Sequence, residues 1–123
     1  MAWNLDSDRP IYTQLMEIIQ QRVVAGEYKP GEKIPSVREL AAQAGVNPNT
    51  MQKALSDLED SGLVVTQRTS GRVVTEDVEL ISQVREQLAM DRVMSFISKM
   101  SELGYDKQQT TALLEKAGGE KNE

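Results

Sequence analysis

The chain has 123 residues, a net charge of −5 and neither Cys nor His, which fits one modest domain with an appendage or two very small domains. The absence of Cys and His excludes disulfides, Cys/His zinc sites and most hydrolytic triads, so we expect no metal, no cofactor and no catalysis. No apolar run approaches the roughly 18 residues of a membrane span, and the N-terminus lacks a basic region followed by an apolar core. We therefore expect a cytoplasmic protein.

The acidic charge is unevenly distributed. Residues 1–75 hold eight Lys/Arg against nine Asp/Glu, whereas residues 76–123 hold six against ten. A net negative charge argues against a nucleic-acid partner, because phosphate binding needs a positive field. The N-terminal part is close to neutral, however, so its basic residues could still gather on one face.

The first predicted helix covers residues 8–25, opened by Asp8 and Pro10 and closed by Gly26. Its apolar residues recur at helical spacing: Ile11, Leu15, Ile18, Ile19 and Val23. The next segment, residues 29–32, reads Lys-Pro-Gly-Glu, with Pro where φ is about −65° and Gly where φ is positive, which predicts a type II turn.

Ser36 and Glu39 predict a capping box, so a second helix should begin at Val37 and end at Gly45. Its inward side is formed by Val37, Leu40, Ala41 and Ala44. Arg38 then lies in the first turn, where a cation opposes the helix dipole by about 0.3–1 kcal/mol. This cost hints at an external anion, although a lone Arg is as often an ordinary surface cation.

A third helix should begin after Asn47, with Pro48 at its first position, and run to about Asp60. Its buried stripe is Met51, Ala54, Leu55 and Leu58. The three residues from Gly45 to Asn47 match the length of a helix-turn-helix connection, whose second helix enters the major groove of DNA. The outward side chains of the third helix are then Asn49, Thr50, Gln52, Lys53 and Ser56.

Each outward side chain has a DNA role and an ordinary alternative. Asn and Gln can pair with adenine, Lys can bind guanine or phosphate, and Thr can contact phosphate or the thymine methyl. Thr50 could instead be an ordinary helix residue, and Lys53 could pair with Asp57 four residues later. Tyr12 and Tyr28 are expected in the core.

Two β-rich runs, residues 63–67 and 72–75, predict a hairpin around residues 68–71, Arg-Thr-Ser-Gly. Placed after a helix-turn-helix, such a hairpin is a wing. Arg68 and Arg72 are expected to supply positive charge at its flanks, where backbone phosphates would lie.

From Glu76 the helical pattern returns and extends to about Leu103. At about 1.5 Å per residue this helix would approach about 40 Å, too long for so small a core to cover. A symmetric dimer would supply the missing surface. The predicted dimerisation residues form a broad stripe: Ile81, Val84, Leu88, Val93, Phe96, Ile97 and Met100.

A last helix should follow Gly104, with Asp106 and Gln109 as a second capping box and an end at Gly118-Gly119. Its apolar residues are Ala112, Leu113, Leu114 and Ala117. Met90, Met94 and Met100 suggest an adaptable interface. A small hydrophobic effector pocket among them is an alternative to simple packing, so a small-molecule effector stays open.

The N-terminal motifs occur in a fixed order: Gly26-x-Tyr28-x-Pro30-Gly31-x-x-Ile34-Pro35-Ser36-x-Arg38-x-Leu40-Ala41, then Gly45-Val46 and Asn49-Thr50. Over about residues 8–75 this order resembles the GntR family of bacterial transcription regulators. The resemblance implies a winged helix-turn-helix that binds operator DNA as a dimer. It places DNA contacts at Arg38, Asn47, Asn49, Thr50 and Gln52, and on the wing from Arg68 through Thr69 to Gly71. Family wings often read Arg-Gly-x-Gly, and here Thr69 replaces the first Gly.

The tail of about 48 residues resembles the short YtrA-type branch, whose two-helix tail serves dimerisation and whose members commonly repress operons with ABC-transporter genes. We therefore predict a mainly α protein with a small β-hairpin. A winged helix-turn-helix in residues 1–75 would precede a helical dimerisation tail in residues 76–123. The homodimer would repress from a pseudo-palindromic operator. A winged-helix protein-interaction module would also suit the acidic balance, and an enzyme is a distant third because no convergent carboxylates are visible.

Overall fold

A computed structural model describes residues 3–121. Within these residues, five helices and one antiparallel hairpin follow in the order α1 (Ile11–Val24), α2 (Val37–Ala44), α3 (Pro48–Ser61), β1 (Val64–Gln67), β2 (Gly71–Val74), α4 (Val78–Glu102) and α5 (Lys107–Lys121). The mainly helical architecture with a small hairpin confirms the predicted fold class. The chain divides into an N-terminal unit that ends at Arg85 and a C-terminal unit that begins at Glu86. None of the described helices is long and apolar enough to cross a membrane.

Helix α1 begins three residues later than the predicted start at Asp8. Pro10 occupies the N-cap position and no side chain caps the helix there. The buried side chain of Gln14 holds the preceding segment instead. Its Oε1 accepts from the Asp6 amide at 2.6 Å, and its Nε2 donates to the carbonyls of Asp6 at 2.8 Å and Arg9 at 3.1 Å. The entry to α1 is therefore fixed from inside the helix.

The segment before α1 also carries an aromatic contact. The guanidinium of Arg22 lies 4.5 Å from the centre of the Trp3 ring, within cation–π distance. Arg22 Nη1 also donates to the Tyr28 hydroxyl at 3.2 Å. Both aromatic rings pack against the hydrophobic core, which confirms the expectation for Tyr28.

The core of the N-terminal unit is built from the apolar stripes that the sequence predicts for its helices. Its largest fully buried side chains are Leu15, Ile19, Ile34, Leu40, Met51, Leu55, Leu58, Leu63, Val64 and Val74. Burying one such side chain contributes about 1.5–3 kcal/mol. This set fixes α1, α2 and α3 against one another and against the first residues of the hairpin.

The hairpin is tighter than the sequence suggests. Gln67 pairs with Gly71 at its closed end, so the tip contains only residues 68–70 and Gly71 belongs to β2. Gly71 has φ of +79°, the left-handed conformation that closes a three-residue hairpin loop.

The segment before α2 pairs with the outer edge of β2. The amide of Gly31 donates to the Val74 carbonyl at 2.9 Å, and the amide of Ile34 donates to the Arg72 carbonyl at 3.1 Å. The predicted type II turn is present, since Gly31 has φ of +79° and the Glu32 amide donates to the Lys29 carbonyl at 2.9 Å. The turn thereby ties the start of α2 to the wing.

Helix α4 begins within the N-terminal unit. The Asp77 carboxylate accepts from the Leu80 amide at 3.1 Å and caps the helix. Leu80, Ile81 and Val84 then pack, half-buried, against the core of that unit. The structural division at Arg85 thus lies inside α4, ten residues after the end of the predicted winged domain at residue 75.

The C-terminal unit contains the rest of α4, a turn at Gly104 and α5. The predicted capping box is present, because the Gln109 amide donates to Asp106 Oδ1 at 2.8 Å and the Asp106 amide donates to Gln109 Oε1 at 3.0 Å. The predicted end at Gly118-Gly119 is wrong, since α5 continues to Lys121. Gly disfavours a helix by about 1 kcal/mol relative to Ala but does not forbid it.

Candidate nucleic-acid interface

The start of α2 is held by the predicted capping box. Ser36 Oγ accepts from the Glu39 amide at 3.2 Å, and Glu39 Oε1 accepts from the Ser36 amide at 2.9 Å. The backbone amide of Ser36, followed by its hydroxyl, lowers the pKa of the Glu39 carboxyl below its usual value. Arg38 is exposed in this first turn and has no hydrogen bond or ion pair to other residues between 3 and 121. Its charge is therefore available to an external anion.

The connection to α3 is fixed by local geometry. Gly45 ends α2 with φ of +74°, and its amide donates to the Ala41 carbonyl at 2.9 Å. Asn47 Oδ1 then accepts from the Asn49 amide at 2.7 Å and caps α3. The Asn47 oxygen accepts within the helix, which leaves the Nδ2 group to donate to an external acceptor.

The outward side chains at the start of α3 differ in accessibility. Asn49 and Gln52 are exposed, whereas Thr50 is half-buried. Gln52 Nε2 donates to Ser56 Oγ at 3.3 Å, a long contact between side chains that water can replace. Of the Asn, Thr and Gln side chains predicted to contact bases here, Asn49 and Gln52 are thus the exposed ones.

Lys53 contacts α1. Its ammonium lies 4.4 Å from the centre of the Tyr12 ring, a cation–π contact worth about 0.5–1 kcal/mol at an exposed site. The alternative pairing with Asp57 is not formed among the ion pairs of the described residues. Tyr12 is half-buried beneath this contact, at the edge of the unit rather than in its core.

The wing tip presents Arg68 and Thr69 to solvent. Arg68 has no hydrogen bond or ion pair within the described part of the chain. Within residues 3–121 only glycines have positive φ, so Thr69 does not occupy a conformation that requires Gly. The replacement of the usual family Gly is accommodated because Gly71 alone provides the left-handed conformation of the tip.

Arg72 is paired within the chain. Its Nε and Nη2 both lie 3.1 Å from Glu59 Oε1, and the Thr66 hydroxyl donates to Glu59 Oε2. The Thr66 hydroxyl first, and then Arg72, lower the pKa of the Glu59 carboxyl, against an opposing effect of burial. The expectation that Arg72 supplies free positive charge is wrong, because Glu59 neutralises its guanidinium.

An open cleft of about 600 Å³ separates the start of α2 from the wing. Among the predicted site residues, Arg38, Thr69 and Gly71 line this cleft. Lys33 and Ser70 also line it, and sequence reasoning missed both because their position depends on the pairing of residues 31–34 with β2. The remaining predicted DNA contacts lie outside the lining: Asn47, Asn49, Thr50, Gln52, Lys53 and Arg68. Cations and hydroxyls around an open cleft suit an anionic polymer.

The predicted dimerisation residues differ in their packing, and their spacing of three or four residues breaks between Leu88 and Val93. Ile81 and Val84 pack against the N-terminal core. Val93 and Phe96 remain 49% and 40% exposed. Beside them a groove of about 390 Å³ is lined by four apolar side chains, two threonines and two cations: Val93, Phe96, Ile97, Leu114, Thr110, Thr111, Arg92 and Lys107.

The family follows from sequence comparison. The profile of the gntR family of bacterial regulatory proteins matches residues 11–74, more than half of the chain. The chain belongs to the GntR family. It is 40% identical over 103 residues to the uncharacterized HTH-type transcriptional regulator YhcF of Bacillus subtilis, covering 84% of this chain and 85% of that protein. It is 38% identical over 88 residues to the HTH-type transcriptional repressor YtrA of the same organism, covering 67% and 68%.

Solved structures share the fold of this GntR-family chain. A GntR family transcriptional regulator from Listeria monocytogenes superposes with a TM-score of 0.83 at 39% identity, covering 91% of this chain and 98% of that one. The DNA-binding domain of AraR, in complex with operator ORE1, superposes with a TM-score of 0.52 at 34% identity, covering 61% and 94%. The chain is therefore a DNA-binding transcription regulator with a winged helix-turn-helix. Within residues 3–121 no group of acidic side chains could hold a metal ion.

Proposed function

We propose that this GntR-family regulator is a repressor that binds a pseudo-palindromic operator as a homodimer. One observation carries the proposal. The start of α2, with its unpaired Arg38, faces the wing across an open cleft. In a helix-turn-helix the second helix, here α3, inserts its N-terminal residues into the major groove beside such a backbone contact.

The side chains divide between holding the backbone and reading bases. Arg38, Arg68, Thr69 and the Gly71 turn would contact phosphates or the minor groove, which positions the protein without reading sequence. Asn49 and Gln52 would pair with base edges in the major groove. Asn47, Thr50 and Lys53 would make weaker DNA contacts. Asn47 already caps α3, Thr50 is half-buried, and Lys53 must first leave the Tyr12 ring.

The exposed apolar surface of the tail supports the dimer. Helix α4 has 25 residues, which gives a length of about 37 Å, and Met90, Val93 and Met94 are about half exposed along it. We propose that Val93, Phe96, Ile97 and Met100 meet a second copy, with Leu88 continuing the contact. Ile81 and Val84 would support the interface indirectly, because they pack against the N-terminal core.

Repression follows from occupying the promoter. A dimer would place two α3 helices in major grooves about 34–36 Å apart and exclude polymerase. The relative YtrA is named a repressor, and the resemblance to its branch points to an operon with ABC-transporter genes. A regulator of chromosomal genes acts in the cytoplasm and needs no catalytic group. A small apolar effector could enter the tail groove, which would couple signal to dimer geometry.

Protection of DNA upstream of the chain's own gene tests the proposal. We expect footprints of two half-sites about one helical turn apart, and an affinity that falls steeply with salt because several phosphates are contacted. The measurement is a gel-shift titration at several salt concentrations, followed by footprinting with and without cell extract. No binding at low salt would overturn the proposal and favour the protein-interaction module instead.

A further inference from the structure

Glu59 lies near the end of α3 and contacts both strands of the hairpin. Its Oε1 accepts from Arg72 of β2, whose Nε and Nη2 both lie at 3.1 Å. Its Oε2 accepts from the Thr66 hydroxyl of β1. Thr66 and Arg72 are directly opposite each other in the β1–β2 register. One carboxylate on the recognition helix therefore bridges a cross-strand pair of the wing.

Arg72 extends this contact to the start of α2. Its carbonyl accepts from the Ile34 amide at 3.1 Å, and Ile34 lies two residues before the helix cap Ser36. Arg72 thus connects α3 through its side chain and the segment before α2 through its backbone. The three parts that carry the candidate DNA contacts meet at this one residue.

The geometry of the contact is suited to fixing an orientation. The side chains of Glu59 and Arg72 are only 27% and 20% exposed, and charge-assisted hydrogen bonds are roughly twice as strong as neutral ones. A two-stranded hairpin is marginally stable by itself. The strands of this wing have four residues each, so contacts from outside the hairpin must hold it.

We propose that Glu59 is a positioning residue that sets the wing tip relative to the recognition helix, so that operator affinity depends on the Glu59–Arg72 pair. The inference rests on the proposed DNA binding. The Glu59–Arg72 pair also neutralises the charge of the Glu59 carboxylate. Arg72 lines the cleft beside the α2 start, and without Arg72 the Glu59 carboxylate would be an unpaired negative charge near incoming phosphates.

Because the pair both positions the wing and neutralises a charge, the two single variants should lower operator affinity by different amounts. Arg72→Ala loses the brace and leaves an unpaired carboxylate, whereas Glu59→Ala loses the brace alone. We expect operator affinity to fall on the order of tenfold in Arg72→Ala and by less in Glu59→Ala. The double variant should bind better than Arg72→Ala, because the repelling charge is gone. Glu59→Gln keeps an acceptor for Thr66 or Arg72 and should bind better than Glu59→Ala.

The experiment measures full-chain variants by gel-shift titration, hydroxyl-radical footprinting and ¹⁵N relaxation of the amides of residues 68–70 in the free protein. Ile19→Val is the control, because Ile19 is buried on α1, so the change weakens the core and leaves the Glu59–Arg72 pair intact. In Glu59→Ala we expect the footprint to lose protection at the wing positions only, and the tip amides to become mobile. In Glu59→Gln the tip amides should be rigid again. Ile19→Val should change neither readout.

Additive losses in the double variant, or tip amides that stay rigid in Glu59→Ala, would overturn the inference. So would uniform loss of the footprint, since a merely structural role lowers all contacts together. Failure of the proposed function is distinguishable. If the wild-type chain binds no DNA, the dependence of affinity on the pair is refuted, while the tip relaxation still decides whether Glu59 holds the wing.

Discussion

The two units of this chain bury their apolar side chains to different extents. In the N-terminal unit Leu15, Leu40 and Leu55 are fully buried. In the C-terminal unit, among side chains described up to residue 119, only Thr110 is buried, and Leu114 is 54% exposed. Contiguous exposed apolar surface marks an interaction site. The N-terminal unit therefore completes its core within one chain, whereas the tail leaves apolar side chains exposed, as the proposed dimer requires.

Leucine truncation tests this difference most strongly. Leu55→Ala should lower the free energy of unfolding by about 2–5 kcal/mol, because it leaves a cavity in a packed core. Leu114→Ala should cost less than about 1 kcal/mol in the monomer, because its side chain is already half exposed. Urea unfolding followed by circular dichroism, at several protein concentrations, measures both. Equal costs for the two variants would remove the contrast between the units.

Removing the tail separates folding from assembly. Because Leu80, Ile81 and Val84 pack on the N-terminal core, the cut belongs after Arg85. The chain 1–85 should fold, remain monomeric and bind the operator on the order of a hundredfold more weakly, since two linked half-site contacts become one. Light scattering and gel shift measure this. The chain 1–75 is the control and should be less stable. A dimeric 1–85 chain would refute the role of the tail.

Removing one cation from each unit compares their roles in DNA binding. Arg38→Ala should weaken operator affinity by about tenfold and reduce the slope of log affinity against log salt by about one, because one phosphate contact is lost. Lys99→Ala, an exposed cation of the tail, should leave both unchanged. Gel-shift titrations at four salt concentrations provide the slopes. A similar effect of both variants would show that only overall charge matters.

Acid should act first on the N-terminal unit. The carboxyls of Glu39 and Glu59 both have pKa values below their usual range, the first through the Ser36 cap and the second through Thr66 and Arg72. A lowered folded-state pKa stabilises the fold fully above the unfolded value of about 4.3, and this stabilisation is lost as pH falls through the folded value. Unfolding measured from about pH 6 to about pH 3 should show this loss. The double variant Glu39→Gln/Glu59→Gln should show a flatter dependence. An unchanged dependence would contradict the assignment.

Local features could be predicted from sequence because their partners lie within one turn of helix. Ser36 with Glu39, Asn47 at the start of α3 and Asp106 with Gln109 all form the contacts that their spacing predicts. The hairpin and the apolar stripes of α1 to α3 could be predicted for the same reason. Periodicity and capping are encoded in neighbouring residues.

Contacts between distant residues could not be predicted in the same way. Glu59 and Arg72 lie 13 residues apart, and Lys53 meets Tyr12 from another helix. Periodicity also suggested one stripe along the long helix, whereas Ile81 and Val84 pack on the N-terminal core. Such pairings depend on how the elements pack, so the sequence alone predicts a DNA-facing charge at Arg72, which Glu59 neutralises within the chain.

The position of Trp3 gives the N-terminal unit an optical signal of its own. It is the single tryptophan of the chain, and its ring stacks on Arg22, which in turn holds Tyr28. Indole emission therefore reports the melting of the N-terminal unit alone. The C-terminal unit contains Tyr105 and no indole, so all tryptophan emission of an unlabelled sample originates in the N-terminal unit.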